Sequence, residues 1–323
     1  MSPCFFHLYD RFLFYVSAMG LARGRTSAIL AGKGGVHVNL CNEQDIRELL
    51  GRHGFRFSKS MGQNFLIDPQ IPADIAASSG ADRQCGVLEI GPGIGPLTAE
   101  LAQRAGRVVS VELDKSLLPV LAETMAPFPN VEIVPGDAMK LDLAALASEK
   151  FQGLRPIVCA NLPYNITTPV LTRLVETPCF ESLTVLIQKE VAQRLAAPQG
   201  SGDGGAFTLF LQYHMETELL FEVPREKFLP APKVTSAVLR CVRRSKPAVD
   251  VEDESFFFRC VRGAFLLRRK TLPNSLAAAL PGVSKEAVQA ALAQCGLPAD
   301  IRGERLTLQD FANLSAVLAS FLK

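Results

Sequence analysis

A doubly wound α/β fold, with a mostly parallel sheet covered by helices on both faces, is predicted for residues 41–246 of this chain. A smaller all-helical domain is predicted over residues 247–323. Three observations carry this. From Gly86 to about Leu186, short apolar runs alternate with helical stretches, the rhythm of strand–helix units. The first of those runs ends in a glycine-rich turn that opens a helix. Beyond Pro247 only helical patterning remains, punctuated by Pro273, Pro281-Gly282 and Gly296-Leu-Pro298.

Each element follows from its residues. The first forty positions do not read as part of the folded body: an apolar stretch from Phe5 to Ala22 is followed by basic, glycine-rich sequence. A secretory signal places its positive charge before the apolar segment, whereas here it comes after, so a disordered extension or an early start is expected. Glu43–Gly54 reads as an amphipathic helix with Ile46, Leu49 and Leu50 on one face. Val87–Ile90, Val108–Val111, Val131–Val134, Ile157–Ala160 and Leu183–Ile187 read as strands. Leu97–Ala105, Lys115–Met125, Leu141–Ser148 and Pro169–Val175 read as the helices between them. Gln199–Gly205 reads as a flexible loop, and Leu209–Glu222 and Ser236–Arg243 as later strands. Ser255–Leu267, Leu272–Leu280, Lys285–Cys295 and Leu308–Leu322 are the C-terminal helices, with the domain boundary near Lys246.

The chain has 323 residues and eight cysteines, at Cys4, Cys41, Cys85, Cys159, Cys179, Cys241, Cys260 and Cys295. No Cys-x-x-Cys pair or Cys/His cluster occurs, so neither a disulfide framework nor a metal site is expected, and reduced thiols in the cytoplasm are the default. No apolar run has the length of a membrane span. Charge is uneven. Up to Pro224 there are 18 Lys+Arg against 23 Asp+Glu, and from Arg225 onward 16 against 9. A basic rear half suits contact with a polyanion.

The most informative segment is Asn161-Leu-Pro-Tyr164, continued by Asn165-Ile166, at the end of the Ile157–Ala160 strand. An exocyclic amine on a flat base needs acceptors in the plane of its hydrogens and an aromatic ring against its face. The Asn161 side-chain oxygen and the Leu162 carbonyl supply the first, on a turn stiffened by Pro163. Tyr164 supplies the second by stacking. Together they read as a pocket for the amino group of adenine. A polar loop whose asparagine caps the next helix is the plainer alternative.

Three strand ends point to a second ligand. Gly91-Pro-Gly93-Ile-Gly95 allows close backbone approach at the carboxyl edge of the sheet. Glu112, 21 residues past Gly91, can accept from both hydroxyls of a ribose. Asp137, after a third strand, can accept from an adenine amino group. This order suits S-adenosylmethionine better than NAD. Pro96 stands where a dinucleotide fingerprint has its last glycine, and Pro92 and Pro96 lack the N–H groups a pyrophosphate would use. Acids that only cap helices are the bland reading.

With these residues in place, the chain resembles the ribosomal RNA adenine N6,N6-dimethyltransferases, in particular their small-subunit (16S) branch. The likeness runs from about Asp45 to the C terminus. It rests on Phe57–Leu66, Glu89–Thr98, Val111–Asp114, Gly136–Ala138, Asn161–Ile166, Gln188–Arg194, Phe228–Ser236 and Ala264–Leu272. It implies a Rossmann-like S-adenosylmethionine-dependent methyltransferase sheet with a helical C-terminal RNA-binding domain. It implies that Asn64, Leu66, Gly91, Glu112, Asp137 and Asn161 contact S-adenosylmethionine. Asn161, Leu162 and Tyr164 would hold the target adenine, with Phe228 on its opposite face. The implied reaction dimethylates two neighbouring adenosines near the 3′ end of small-subunit RNA, with a role in small-subunit biogenesis. Two departures stand out: Gly204 occupies a position usually held by Tyr in the flexible loop, and residues 1 to about 40 are extra.

No general base is expected, and none of the four histidines falls in these motifs. RNA grip is expected from Arg268-Arg269-Lys270, Arg259, Arg262, Lys233 and Arg243-Arg244, helped by Arg52, Arg56 and Lys59. Phe256-Phe257-Phe258 is expected in the core. The expected partner is small-subunit rRNA within an immature subunit, met by a monomer with no membrane or protein partner. The competing expectations are a large-subunit adenine methyltransferase of the macrolide-resistance type and a non-catalytic assembly factor.

Overall fold

The computed structural model describes residues 29–31, 37–56 and 63–322. It opens with a short antiparallel pair, β1 (Ile29–Ala31) and β2 (His37–Asn39). Helix α1 (Glu43–Arg52) follows, its first turn capped by the Asn42 side chain, which accepts from the Asp45 N–H. Leu40 is fully buried with Ile46, Leu49 and Leu50 in one core. The packed body therefore begins before residue 41, slightly ahead of the sequence expectation, while the apolar Phe5–Ala22 stretch lies outside the described residues.

The two-residue strand β3 (Phe65–Leu66) and helix α2 (Gln70–Ser78) lead into the main sheet. There β4 (Cys85–Ile90), α3 (Pro96–Arg104), β5 (Arg107–Glu112), α4 (Leu118–Thr124) and β6 (Val131–Pro135) build the first half. Helix α5 (Leu143–Lys150), β7 (Arg155–Asn161), α6 (Thr167–Glu176), β8 (Ser182–Gln188) and α7 (Lys189–Leu195) build the second. Helix α8 (Ala206–His214), β9 (Met215–Val223) and β11 (Ser236–Arg243) complete it, while the short β10 (Phe228–Leu229) pairs with β3 in a separate two-stranded sheet. The strand order is β6-β5-β4-β7-β8-β11-β9. The first five strands run parallel, and β11 is antiparallel to both its neighbours. The chain leaves β4 toward β5 and later returns to its other side as β7, so a crevice opens at the carboxyl ends of β4 and β7.

Burial explains these strands. All six residues of β4 are buried, as expected where helices cover both sheet faces. One core packs under α5, α6 and α7, and the other under α2 and α3. The fold is a Rossmann-like α/β sheet joined to a helical C-terminal region, α9 (Glu254–Ala264), α10 (Leu272–Ala279), α11 (Lys285–Gln294) and α12 (Leu308–Phe321). These helices surround a further core in which Phe256, Phe257 and Phe258 are buried, as expected.

Two expectations need correction. Leu209–Glu222 is not one strand; it is the end of α8 followed by β9. Leu211 faces the sheet core while Leu209 and Tyr213 face the C-terminal core, so the helix is apolar on two sides and shows no strand-like alternation to distinguish it. The Gln199–Gly205 loop, expected to be flexible, is tied to the C-terminal region. Arg305 donates to the Ser201 carbonyl at 2.8 Å, and the Gln199 side chain accepts from the Leu308 N–H at 2.9 Å.

Candidate functional site

A cavity of about 220 Å³ lies in the crevice. Asn64, Gly91, Glu112, Asp137, Asn161, Leu162 and Tyr164 all line it, brought together from five separate parts of the chain. Gly91, Gly93 and Gly95 take positive φ values of 70°, 64° and 94°, conformations that L side chains rarely adopt. At Gly95 a Cβ would also collide with the Met125 methyl group. The turn thus brings bare backbone to the cavity wall and starts α3 at Pro96, where the missing N–H is not needed.

Glu112 ends β5 and is 6% exposed. Its Oε1 accepts from the Asp114 N–H at 2.7 Å. Burial raises its carboxyl above the usual range, against hydrogen bonds from the backbones of Asp114 and Gly93. Asp137 Oδ1 accepts from the Met139 N–H at 2.9 Å, fixing that carboxylate at the tip of the third strand. A glycine cradle with one buried and one half-buried carboxylate fits a ligand carrying a ribose and an aminopurine.

Asn161 is the last residue of β7, and its Nδ2 donates to the Asn64 carbonyl at 3.4 Å. That bond orients the amide and leaves Oδ1 as the acceptor on its other side. The Leu162 side chain is buried, and its N–H donates to the Leu186 carbonyl at 3.1 Å. Pro163 then turns the chain into a short 3₁₀ segment, Tyr164–Ile166. Burial holds the Tyr164 phenol above its usual pKa, so the ring is neutral.

Leu66 and Phe228 are not at the cavity. They are register partners in the β3–β10 pairing, and both side chains turn into the core beneath the sheet, at 1% and 2% exposure. The resemblance had set Phe228 across the base; its burial removes it from that face in this structure. Sequence reasoning missed Gln63 and Leu113 on the cavity wall. Leu113 is 52% exposed, and the available signal was an apolar residue between Glu112 and Asp114 at a strand end.

Glu89 was likewise missed as a chemical group. It is 1% exposed beneath the glycine turn, and its Oε2 accepts from Thr98 Oγ1 at 2.6 Å and Ser110 Oγ at 2.7 Å. These bonds tie α3 and β5 to β4 under the cavity. Burial pushes its pKa from 4.5 up to about 7. Between those values the folded chain keeps a proton that the unfolded chain has released, so stability falls as pH rises through that window and levels off above it. Glu89→Gln removes this dependence. Its stability relative to the parent should rise by roughly 3 kcal/mol between about pH 4.5 and about pH 7, measured by urea unfolding across that range.

The expected RNA-contacting cations separate into two groups. Arg243 is consumed by structure, donating to the carbonyls of Val175 in the last turn of α6 and of Thr177 and Phe180 just beyond it. Arg244 bonds the Gln212 carbonyl and Glu216, and Arg52 pairs with Glu123. Arg259 lies over the Phe256 ring at 5.1 Å. Lys233, Arg262, Arg268, Arg269 and Lys270 are exposed. The last three sit on a turn and not on a helix. Buried Ser275 donates to the Gly263 carbonyl and accepts the Leu267 N–H, ending α9 early. Lys59 lies outside the described residues.

Comparison with known proteins identifies relatives of the chain. The chain is 44% identical over 280 residues to the ribosomal RNA small subunit methyltransferase A of Geobacillus sp. (strain WCH70), covering 85% of this chain and 96% of that protein. It is 45% identical over 288 residues to the protein of the same name from Lactococcus lactis subsp. lactis (strain IL1403), covering 88% and 97%. Among solved structures, the 23S rRNA methyltransferase ErmE matches with a TM-score of 0.63 and 28% identity, over 79% of this chain and 100% of that one. A dimethyladenosine transferase from Plasmodium falciparum shares the fold, with a TM-score of 0.64 and 23% identity over 77% and 95%. The family model described as ribosomal RNA adenine dimethylase matches residues 54–319, and the chain belongs to that family.

Proposed function

We propose that this chain transfers methyl groups from S-adenosylmethionine to N6 of two adjacent adenosines near the 3′ end of small-subunit (16S) ribosomal RNA, leaving N6,N6-dimethyladenosine. The observation that carries this reading is one shared wall: Asn161, Leu162 and Tyr164 line the same cavity as Gly91, Glu112 and Asp137. Identity of 44% across 96% of a small-subunit enzyme, against 28% to a 23S enzyme, supports the small-subunit assignment.

The residues divide the work. The glycine turn, Glu112 and Asp137 would hold the donor, Glu112 accepting from a ribose and Asp137 from an adenine amino group. S-adenosylmethionine supplies, when bound, an electrophilic methyl carbon. Adenine N6 is a weak nucleophile because its lone pair is delocalised into the ring. Asn161 Oδ1 and the Leu162 carbonyl accept its hydrogens and favour a pyramidal nitrogen, while Tyr164 stacks on the unstacked base. Positioning, more than proton abstraction, supplies the rate.

The same reading assigns residues 41–246 to methyl transfer and 247–323 to RNA grip, through the exposed Arg268, Arg269 and Lys270. It makes the immature small subunit the partner, the monomer the working form and the cytoplasm its place. Among the described residues no helix is long and apolar enough to cross a membrane.

The test is transfer of labelled methyl from S-adenosylmethionine to purified subunits lacking the modification. Dimethyladenosine in small-subunit RNA is expected. Label in large-subunit RNA, or tight RNA binding without transfer, would overturn the proposal in favour of the resistance-type enzyme or the assembly factor respectively.

A further inference from the structure

The segment Phe228–Ser236 is one of those on which the resemblance rests, yet Phe228 is buried away from the cavity. Its last residue, Ser236, reaches the site indirectly. Ser236 opens β11, where it pairs in register with Gln188 of β8 and Val223 of β9, and it is fully buried. Its Oγ shares a hydrogen bond of 2.5 Å with the Tyr164 phenol, across 72 positions of sequence. We infer that Ser236 is a positioning residue for the methyl acceptor: its hydroxyl holds the Tyr164 ring, through its first torsion, at the place where the purine stacks.

The mechanics rest on how Tyr164 is held. Its backbone has little freedom, because Pro163 precedes it and the Pro163 carbonyl accepts from both the Ile166 N–H and Thr167 Oγ1, each at 3.2 Å. What remains is rotation of the side chain about its first two torsions. A ring anchored at Cα and again at its far oxygen cannot swing out of the cavity wall. The anchor itself is stiff: Ser236 sits between two strands, and the preceding Thr235 carbonyl accepts from the Lys189 N–H at 3.0 Å. Burial keeps the phenol protonated, so the bond persists across the working pH range. Ordering the platform before RNA arrives removes a cost that would otherwise fall on the bound complex.

This inference rests on Tyr164 being the stacking platform, and four variants separate the two ideas. Ser236→Ala and Tyr164→Phe each break the tether while keeping the ring; kcat on undermethylated small subunits should fall about fivefold in each, the scale of one lost hydrogen bond. The double variant should lose no more than either single one, because both remove the same bond. Affinity for S-adenosylmethionine and the melting temperature should stay near the parent's. Additive losses, or a lowered melting temperature with unchanged kcat, would make Ser236 a packing residue and overturn the tether. Tyr164→Ala tests the platform itself. If it loses activity while the tether variants do not, only the tether fails; if it too keeps full kcat, the stacking role fails with it.

Discussion

Asn161→Ala is expected to remove methyl transfer, with kcat reduced by at least about 10²-fold and RNA affinity nearly unchanged. Asn161 ends β7 on the cavity wall and is linked through its Nδ2 to the Asn64 carbonyl. Alanine deletes the acceptor for the adenine amine and also removes the amide's bond to the Asn64 carbonyl. The base would still unstack and meet Tyr164, but N6 would no longer be held at one attitude toward the methyl carbon. Single-turnover transfer and filter binding, measured side by side, check this. Equal losses in both would mean that Asn161 holds RNA and does not orient the amine.

The second large effect concerns the turn after α9. Reversing the charge of Arg268, Arg269 and Lys270 to glutamate should weaken binding to small-subunit RNA by about 10²-fold at moderate salt. The slope of log K against log salt should drop by about three, roughly one for each phosphate no longer neutralised. All three side chains are exposed, and none of the described ion pairs uses them. The fold should therefore keep its melting temperature. An unchanged salt slope would place the RNA elsewhere on the surface.

The legible parts of the chain were those whose physics is local. The runs Val87–Ile90 and Ile157–Ala160 could be read as buried strands because a sheet covered on both faces leaves no polar alternation to confuse the pattern. Glu112 and Asp137 could be placed at the carboxyl edge of the sheet because one ends a strand and the other lies two residues past the next. Three features were not legible, for a common reason: they depend on register between distant segments. The β3–β10 pairing decides that Leu66 and Phe228 point inward. Ser236 meets Tyr164 only because β11 joins the sheet beside β8. Arg243 looked free until its guanidinium was placed against the last carbonyls of α6. Helix α8 failed for a different reason, since burial on two sides erases the periodicity by which a surface helix is recognised.

That two-sided helix has a practical outcome for anyone dividing the protein. A fragment cut near Lys246 would keep α8 and strip away its covering, leaving Leu209, Phe210 and Tyr213 bare to water on one flank. Such a piece would expose a greasy ridge and self-associate, whereas point changes on the surface of the last four helices leave that ridge roofed.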